Sequence, residues 1–505
     1  MARFKAICGE IHDSLIRAAA EREALLPAER RRIRRVALRA VRAARATAAA
    51  LLAFTAVAAV PWHLHLVSSV PAIDARLDGA PAVIALTFSE PVEPALASIA
   101  VLGPDSAAVT LEPPAAGDSA HVIVARWTTV EVAAGDYTVV WQVVGRDGHP
   151  VRGEYRFTLT AAAAAAPPGP TRADPAGLRP AVPPASAPAD PETSGGLGRD
   201  PTGSAHFVGV RWLTYLSIVL ALGAIGFRVI VIGGLRGAPL LNAETFTAPA
   251  ASAAAGIGVG AFVFVLLAAG ARLLAQHAAL PVGMRGTGVG LSDLVLDTAW
   301  GQAWLGQVIA AALGLGALRL ARGGSEAGWA GAAAAGVALA VSQALSGHAA
   351  TTDPVGLAVG LDALHLLAVA GWIGTMFYLV AVGLPVAAAA RADRNAALVA
   401  GIVGVFSPRA LGLAAVVAVT GIATAALHLG RLAALWQTSY GRMLLLKVAL
   451  VLIVVGAGAF NWRRMKPRLA NAGTVLTLRR SVAVELAAAA IVLLVTAILV
   501  ALPTP

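Results

Sequence analysis

The feature that most constrains this chain is a series of about eight apolar segments after residue 206, each long enough to cross the hydrocarbon layer of a membrane as a helix. Hydrophobic residues make up 58% of the sequence and charged residues only 13%, a balance typical of a protein largely embedded in lipid. The predicted spans are Phe207–Ile232, Ala250–Leu274, Leu291–Leu318, Trp329–Leu345, Val355–Val382, Leu411–Leu429, Leu444–Phe460 and Val482–Leu502. The sequence therefore predicts an all-α polytopic membrane bundle of about eight helices over residues 206–505.

A basic leader precedes everything else. The cluster Arg30–Arg35 is followed by the apolar stretch Ala46–Trp62, the order expected of a signal peptide or an uncleaved anchor over residues 1–62. The basic flank of such a segment stays inside, so residue 63 emerges on the outer face. The single cysteine, Cys8, lies in this leader, which excludes thiolate chemistry from the outer face.

The distribution of positive charge predicts the same orientation. The net charge of +11 comes mainly from the leader and from alternate loops of the membrane part. If the loop before the first span is outside, the loops richest in Arg and Lys are all inside, as the positive-inside rule requires. This explanation of the charge leaves no reason to expect a nucleic-acid partner.

Residues 63–160 have a different period from the membrane part. Apolar and polar side chains alternate along Tyr137–Val144 and Glu154–Leu159, and further short runs occur at Ala82–Phe88, Ser98–Leu102 and His121–Trp127. Period-two alternation between Gly, Pro and Asp clusters predicts an exported all-β domain, an Ig-like sandwich or a barrel. An Ala/Pro-rich linker over residues 161–205 then joins this domain to the first span.

Potential metal ligands stand at the two ends of the β domain. His63 opens it, and Asp147 and His149 precede its last strand. Imidazole and carboxylate form a nitrogen/oxygen site suited to copper(II), and a free α-amine on His63 would add a further ligand. His65 and Glu90 are second-tier candidates, Glu90 as a group that orients a ligand.

Ionisable side chains inside the spans mark a second candidate region. Asp362 and His365 are three residues apart in the fifth predicted span, so they share one helix face. Such groups are costly in hydrocarbon and usually line an ion or proton route. His348 in the preceding loop and His428 at the end of the sixth span fall at the same predicted outer level. These four residues are predicted to form a copper path in the membrane.

The β-domain motifs resemble the bacterial copper-resistance family CopC. The resemblance rests on three segments: His63–Pro71, Phe88–Val92 and Asp147–Gly153. It implies a cupredoxin-like β-barrel that binds copper(II) through the N-terminal histidine, with His63, Asp147 and His149 as ligands and Glu90 nearby.

The membrane motifs are similar to those of CopD, the membrane partner of CopC. The similarity rests on Ser346–Ala349, Asp362–Gly374, Phe406–Arg409 and Ser439–Arg442. It implies a multi-span protein linked to copper uptake across the inner membrane. Together the two resemblances cover most of the chain from residue 63.

The leading hypothesis is therefore an inner-membrane protein, not an enzyme, that captures copper(II) outside and passes it to a membrane domain for import, homeostasis and resistance. The expected partners are the copper ion, the lipid bilayer and, as candidates, periplasmic copper carriers. Copper(I) is the alternative state in the membrane domain. Two other functions stay open: a haem or electron-transfer protein with His365 and His428 as iron ligands, and a copper sensor or chaperone without transport.

Overall fold

The computed structural model describes residues 64–128, 133–146, 148, 150–160, 205–235, 243–279, 290–389, 392–429, 431–464 and 472–502. The leader over residues 1–62 and nearly all of the linker lie outside these residues. So do His63, Asp147 and His149, the three predicted copper ligands.

Strand residues with alternating burial build a two-sheet β-sandwich. One sheet has the order β1-β3-β7-β6 and the other the order β2-β9-β8-β4-β5, and only β2 and β9 pair in parallel. The strands are β1 Leu66–Val70, β2 Arg76–Leu77, β3 Val83–Phe88, β4 Ser98–Leu102, β5 Ala108–Val109, β6 Ala115–Ala116, β7 Val122–Arg126, β8 Gly135–Val144 and β9 Pro150–Leu159. The prediction of an all-β domain is confirmed, and of its two forms the structure adopts the sandwich.

Alternation along β8 creates the core of the sandwich. Val139 and Trp141 point inward, and the Trp141 ring meets Phe88 of the other sheet edge-on at 5.2 Å between ring centroids. Gly153 lies opposite Trp141 in β9, where a methyl group would overlap the indole. The packing of this core therefore requires glycine at position 153, beneath the Trp141 indole.

Long apolar helices form the membrane part. Among the described residues, eight helices are long and apolar enough to cross a membrane. The helices are α1 Ala205–Leu235, α2 Ala243–Ala279, α3 Leu291–Leu296, α4 Ala299–Arg322, α5 Glu326–Leu345, α6 Val355–Ala388, α7 Ala392–Leu429, α8 Ala434–Gln437, α9 Ser439–Arg464 and α10 Ala472–Leu499. The predicted multi-span bundle is confirmed.

Two predicted spans differ most from the observed helices. The third predicted span, Leu291–Leu318, is interrupted before Ala299, because Thr298 leaves the helical conformation and caps α4 by accepting the Gly301 N–H at 2.9 Å. The sixth span begins long before Leu411, since α7 continues through Pro408. A proline within a membrane helix is tolerated because neighbouring groups can satisfy the freed backbone.

Helices α1 and α6 pack at their glycines. A methyl group on Gly223 or on Gly374 would overlap the backbone of the other helix. Both helices also contain π-helical turns near this crossing, at Phe227–Ile232 in α1 and at Ala370–Gly374 and Leu379–Gly383 in α6. Such turns are rare and often occur at functional sites.

Candidate functional site

One end of the sandwich gathers the chain segments that flank the predicted copper ligands. The His65 N–H donates to Ser89 Oγ at 3.0 Å, and the Ser89 N–H donates back to the His65 carbonyl at 3.0 Å. The carbonyl of Pro91, two residues after Ser89, accepts a hydrogen bond from the Arg146 N–H at 3.0 Å. The neighbours of His63 and of Asp147 are thus attached to the same short segment, residues 89–91.

His65 and Glu90, the second-tier candidates, both lie at this end. The His65 side chain is exposed, and Glu90, directly after Ser89, is partly buried. Within the described part of the chain, no three His, Cys, Asp or Glu side chains are close enough to hold a metal ion. The predicted ligand set therefore stays a prediction.

Gly148, which lies between Asp147 and His149 in the sequence, contacts the membrane bundle. Gly148, between the two predicted ligands, is buried, and its carbonyl accepts a hydrogen bond from Gln276 Nε2 of α2. Its φ is +88°, and a Cβ there would lie 2.9 Å from the Trp300 ring of α4. A residue with a side chain would be strained and would also meet this ring, so glycine allows the close approach.

Glu93 makes a second polar contact between the β domain and the bundle. Its Oε1 accepts the Ala299 N–H at 2.9 Å, at the first turn of α4, where backbone donors have no partner within the helix. Burial raises the pKa of Glu93 above 4.5, although the Ala299 hydrogen bond and the charge of Arg146 oppose the shift. The carboxylate is therefore held at this helix end despite a cost of desolvation.

An apolar cluster surrounds these polar contacts. Leu96 and Val144 of the β domain pack with Leu294 of α3 and Trp300 of α4. Each of the four side chains is nearly inaccessible to solvent. The contact between the β domain and the bundle thus has a dry centre flanked by hydrogen bonds.

A cavity of about 40 Å³ lies next to this contact, enough for about three water molecules. Trp300 and Gln276 line it together with His348, so the residues that touch Gly148 also face one of the predicted membrane histidines. The other lining residues are Phe207, Val210, Arg211, Thr214, Tyr215, Arg272, Ala275, Gln343, Ser346, Gly347 and Val500.

Arg272 connects the two sides of the cavity. It lies within α2, where the guanidinium donates to Ser346 Oγ at 3.1 Å and to the Ser346 carbonyl at 2.8 Å. It also lies over the Trp300 ring, 5.4 Å from the centroid. Contacts therefore run from Gly148 through Trp300 and Arg272 to the loop that holds His348.

Thr352 links His348 with His428. Its hydroxyl lies 2.9 Å from the His348 carbonyl and 3.3 Å from His428 Nε2. His428 Nδ1 donates to the Thr424 carbonyl at 2.7 Å, so Nε2 is the nitrogen that carries a lone pair in the neutral ring. The structure thus brings two of the four predicted membrane residues close together.

Asp362 and His365 have partners in other helices. His365 Nδ1 lies 2.9 Å from Thr420 Oγ1, which donates its own proton to the Val416 carbonyl at 2.7 Å. His365 Nδ1 must then be the donor, and Nε2 keeps the lone pair. Asp362 interacts electrostatically with Lys447 of α9 and with His428. The assignment of both residues to a copper path stays a prediction.

Several residues of this region are missed by sequence reasoning. Lys447 could have been found, because a lysine within the seventh predicted span is as costly as Asp362. Glu93, Gln276 and Trp300 carry no signal in the sequence, since each is an ordinary residue for its segment.

Comparison with known proteins gives three family-model matches. Residues 66–160 match the CopC domain, residues 202–358 match the copper resistance protein D-like N-terminal domain, and residues 400–499 match copper resistance protein D.

Individual relatives match most of the chain or its β domain. The chain is 24% identical over 454 residues to the copper transport protein CutJ of Bacillus subtilis (strain 168). This alignment covers 88% of the chain and 74% of CutJ. It is 34% identical over 99 residues to protein YobA of Escherichia coli (strain K12), covering 19% of this chain and 78% of YobA. The crystal structure of CopC from Methylosinus trichosporium OB3b matches with 30% identity and a TM-score of 0.18, covering 19% of this chain and 94% of that one.

Proposed function

Because this chain belongs to the copper-resistance family, with CopC and CopD domains in one polypeptide, we propose that it captures copper(II) on its β domain and passes the ion to the membrane domain. The protein is a multi-pass membrane protein. In this proposal it lies in the inner membrane with the β domain outside, moves copper for import, homeostasis and resistance, and catalyses no reaction.

The observation that carries the proposal is the position of Gly148. Its neighbours Asp147 and His149 are two of the three predicted ligands, and Gly148 itself contacts Gln276 and Trp300. Both of these line the cavity that His348 faces. A copper ion released from the loop would therefore enter the bundle beside an imidazole, without diffusing through solvent.

The charge of the cavity favours transit over storage. Arg211 and Arg272 both line it, and a cation next to two guanidinium groups is repelled. His348 offers nitrogen, a good copper ligand, in the same space. Attraction by the His348 nitrogen together with repulsion by the two guanidinium groups suits a site that binds an ion briefly and then releases it.

The haem alternative fits the geometry less well. His365 is tied to Thr420, and Thr420 lies about two turns, roughly 12 Å, from His428 along the same helix. A single iron would need both imidazole nitrogens within bonding distance of it. An absorption spectrum of the purified protein without a Soret band would agree with this argument.

The test uses the full chain in lipid nanodiscs. Titration with copper(II), followed by electron paramagnetic resonance, is expected to give one tightly bound ion per chain, lost in His149→Ala. The matched control is His121→Ala, another β-domain histidine, whose Nδ1 lies 3.2 Å from the Phe88 carbonyl. Equal binding by the wild type and His149→Ala would contradict the ligand assignment.

Transport is tested separately from binding. His348→Ala is expected to keep copper(II) binding but to lower copper uptake into proteoliposomes. If wild-type protein binds copper and moves none, the sensor or chaperone alternative replaces transport.

A further inference from the structure

Two hydroxyl groups in the core of the bundle lack the partners that such groups normally have. Thr375 and Tyr378 of α6 are completely buried, and neither hydroxyl has a hydrogen-bond partner among the residues that the structure describes. Other span threonines, such as Thr214 and Thr496, donate to the carbonyl four residues earlier. A buried hydroxyl without a partner costs free energy, so its retention calls for an explanation.

Both hydroxyls face glycines of neighbouring helices. A methyl group on Gly226 of α1 would overlap Thr375 Oγ1, and one on Gly258 of α2 would stand 3.7 Å from the Tyr378 hydroxyl oxygen. Glycine at these two positions therefore leaves room for a polar atom at the meeting point of α1, α2 and α6.

The backbone around the two hydroxyls is irregular as well. Thr375–Tyr378 is a short α-helical piece between two π-helical turns, and the π-helical turn of α1 begins directly after Gly226. A π-helical turn shifts carbonyl groups out of the regular i−4 pattern, which is why such turns often surround bound ligands.

Two buried amides lie between the cavity and these groups. Gln343 lines the cavity and accepts a hydrogen bond from Gln307 Nε2 at 2.8 Å. Gln307 is fully buried, and its Oε1 has no hydrogen-bond partner within the described part of the chain. Leu318, about 16 Å further along α4, lies at Gly258, beside the Tyr378 hydroxyl. Unpaired polar atoms thus occur at two depths of the bundle, about 16 Å apart along α4.

We propose that the Thr375 and Tyr378 hydroxyls form a hydrated polar station on the route by which copper crosses the membrane domain. The identity of the ion rests on the function proposed above. Alcohol and phenol oxygens are weak direct ligands but good partners for the water around a cation. A station of this kind lowers the cost of passage without retaining the ion.

The first test removes single oxygen atoms. Thr375→Val and Tyr378→Phe remove one oxygen each and keep the side-chain shape, so the unfolding temperature should stay within about 2 °C of the wild-type value, because the lost oxygen was paired with water. Copper uptake into proteoliposomes is expected to fall about tenfold. Thr496→Val is the matched control, since its hydroxyl donates to the Val492 carbonyl: uptake should be unchanged. Unchanged uptake in both test variants would overturn the proposal.

The second test detects water at the station independently of copper. With the native thiol removed by Cys8→Ala, a Thr375→Cys variant is expected to react with 2-aminoethyl methanethiosulfonate, because a thiol must be hydrated to ionise. The control is Met376→Cys, one residue further around the same helix and also buried. Absence of labelling at position 375 would overturn the station. Labelling without any copper uptake by the wild type would leave the station standing and refute the transport function.

Discussion

Replacing Glu93 tests whether the β domain docks on the bundle in solution as it does in the structure. Glu93→Ala removes the acceptor of the Ala299 N–H at the first turn of α4. Loss of a cap of this kind costs about 1–2 kcal/mol, so the docked population should fall by roughly 5- to 30-fold relative to the undocked one. Glu93→Gln keeps an acceptor oxygen and loses the charge.

The pH dependence follows from the raised pKa of Glu93. Burial, its main cause, disfavours the charged form in the docked state, whereas the exposed carboxyl has a pKa of 4.5. The docked state therefore holds its proton to higher pH. Docking is strongest below about 4.5 and weakens as pH rises through the raised value. At neutral pH, Glu93→Gln should dock at least as tightly as the wild type, and its docking should not vary with pH over this window.

Hydrogen exchange of the full chain in nanodiscs measures the docking. Where residue 93 keeps an acceptor oxygen, as in the wild type and Glu93→Gln, the exchange rate of the Ala299 amide reports the undocked fraction. Glu112→Ala is the matched control, because Glu112 is an exposed β-domain carboxylate that pairs only with Arg126, at 3.7 Å, among the ion pairs of the described residues. Unchanged exchange at Ala299 in Glu93→Ala would refute the docking argument.

Three further predictions concern other contacts. Trp300→Ala empties the centre of the apolar cluster and should destabilise the contact by about 3 kcal/mol. Copper uptake should fall, while copper(II) binding in a nanodisc titration stays at the wild-type stoichiometry. Uptake equal to that of the wild type would exclude transfer across this contact. Asp362→Asn should lower the unfolding temperature of the full chain, because it leaves the charge of Lys447 uncompensated. Adding Lys447→Met should restore part of the loss. If the two substitutions lower the unfolding temperature additively, the two residues do not pair. Burial raises the pKa of Tyr155 to about 12. Its contribution to stability is therefore complete below about 10 and is lost as pH rises through 12, and an ultraviolet titration of Tyr155→Phe should show one late-titrating tyrosine fewer than the wild type.

Local patterns were sufficient to predict most of the architecture. Alternation along Tyr137–Val144 depends only on which face of a strand is buried, and the structure confirms it as part of β8. The apolar spans depend only on length and composition, and all eight predicted positions contain a spanning helix. The sequence did not predict the break before Ala299. Thr298 caps α4 only because its backbone is extended in the fold, and the residue type alone does not determine this conformation.

Residues that act through distant partners were beyond local patterns for a physical reason. Glu93 and Ala299 are separated by 206 residues, and Gly148 and Gln276 by 128. Neither member of such a pair departs from what its own segment requires: Glu93 is a polar residue after a strand, and Gln276 is a polar residue near a helix end. Lys447 differs, since burial of a charge in an apolar span is costly wherever its partner lies. A site residue can therefore be found from the sequence when its own burial is costly, and it cannot be found when only its contact with a distant residue is unusual. For this reason the charged residues of the copper path were predicted, whereas the docking surface was found only in the structure.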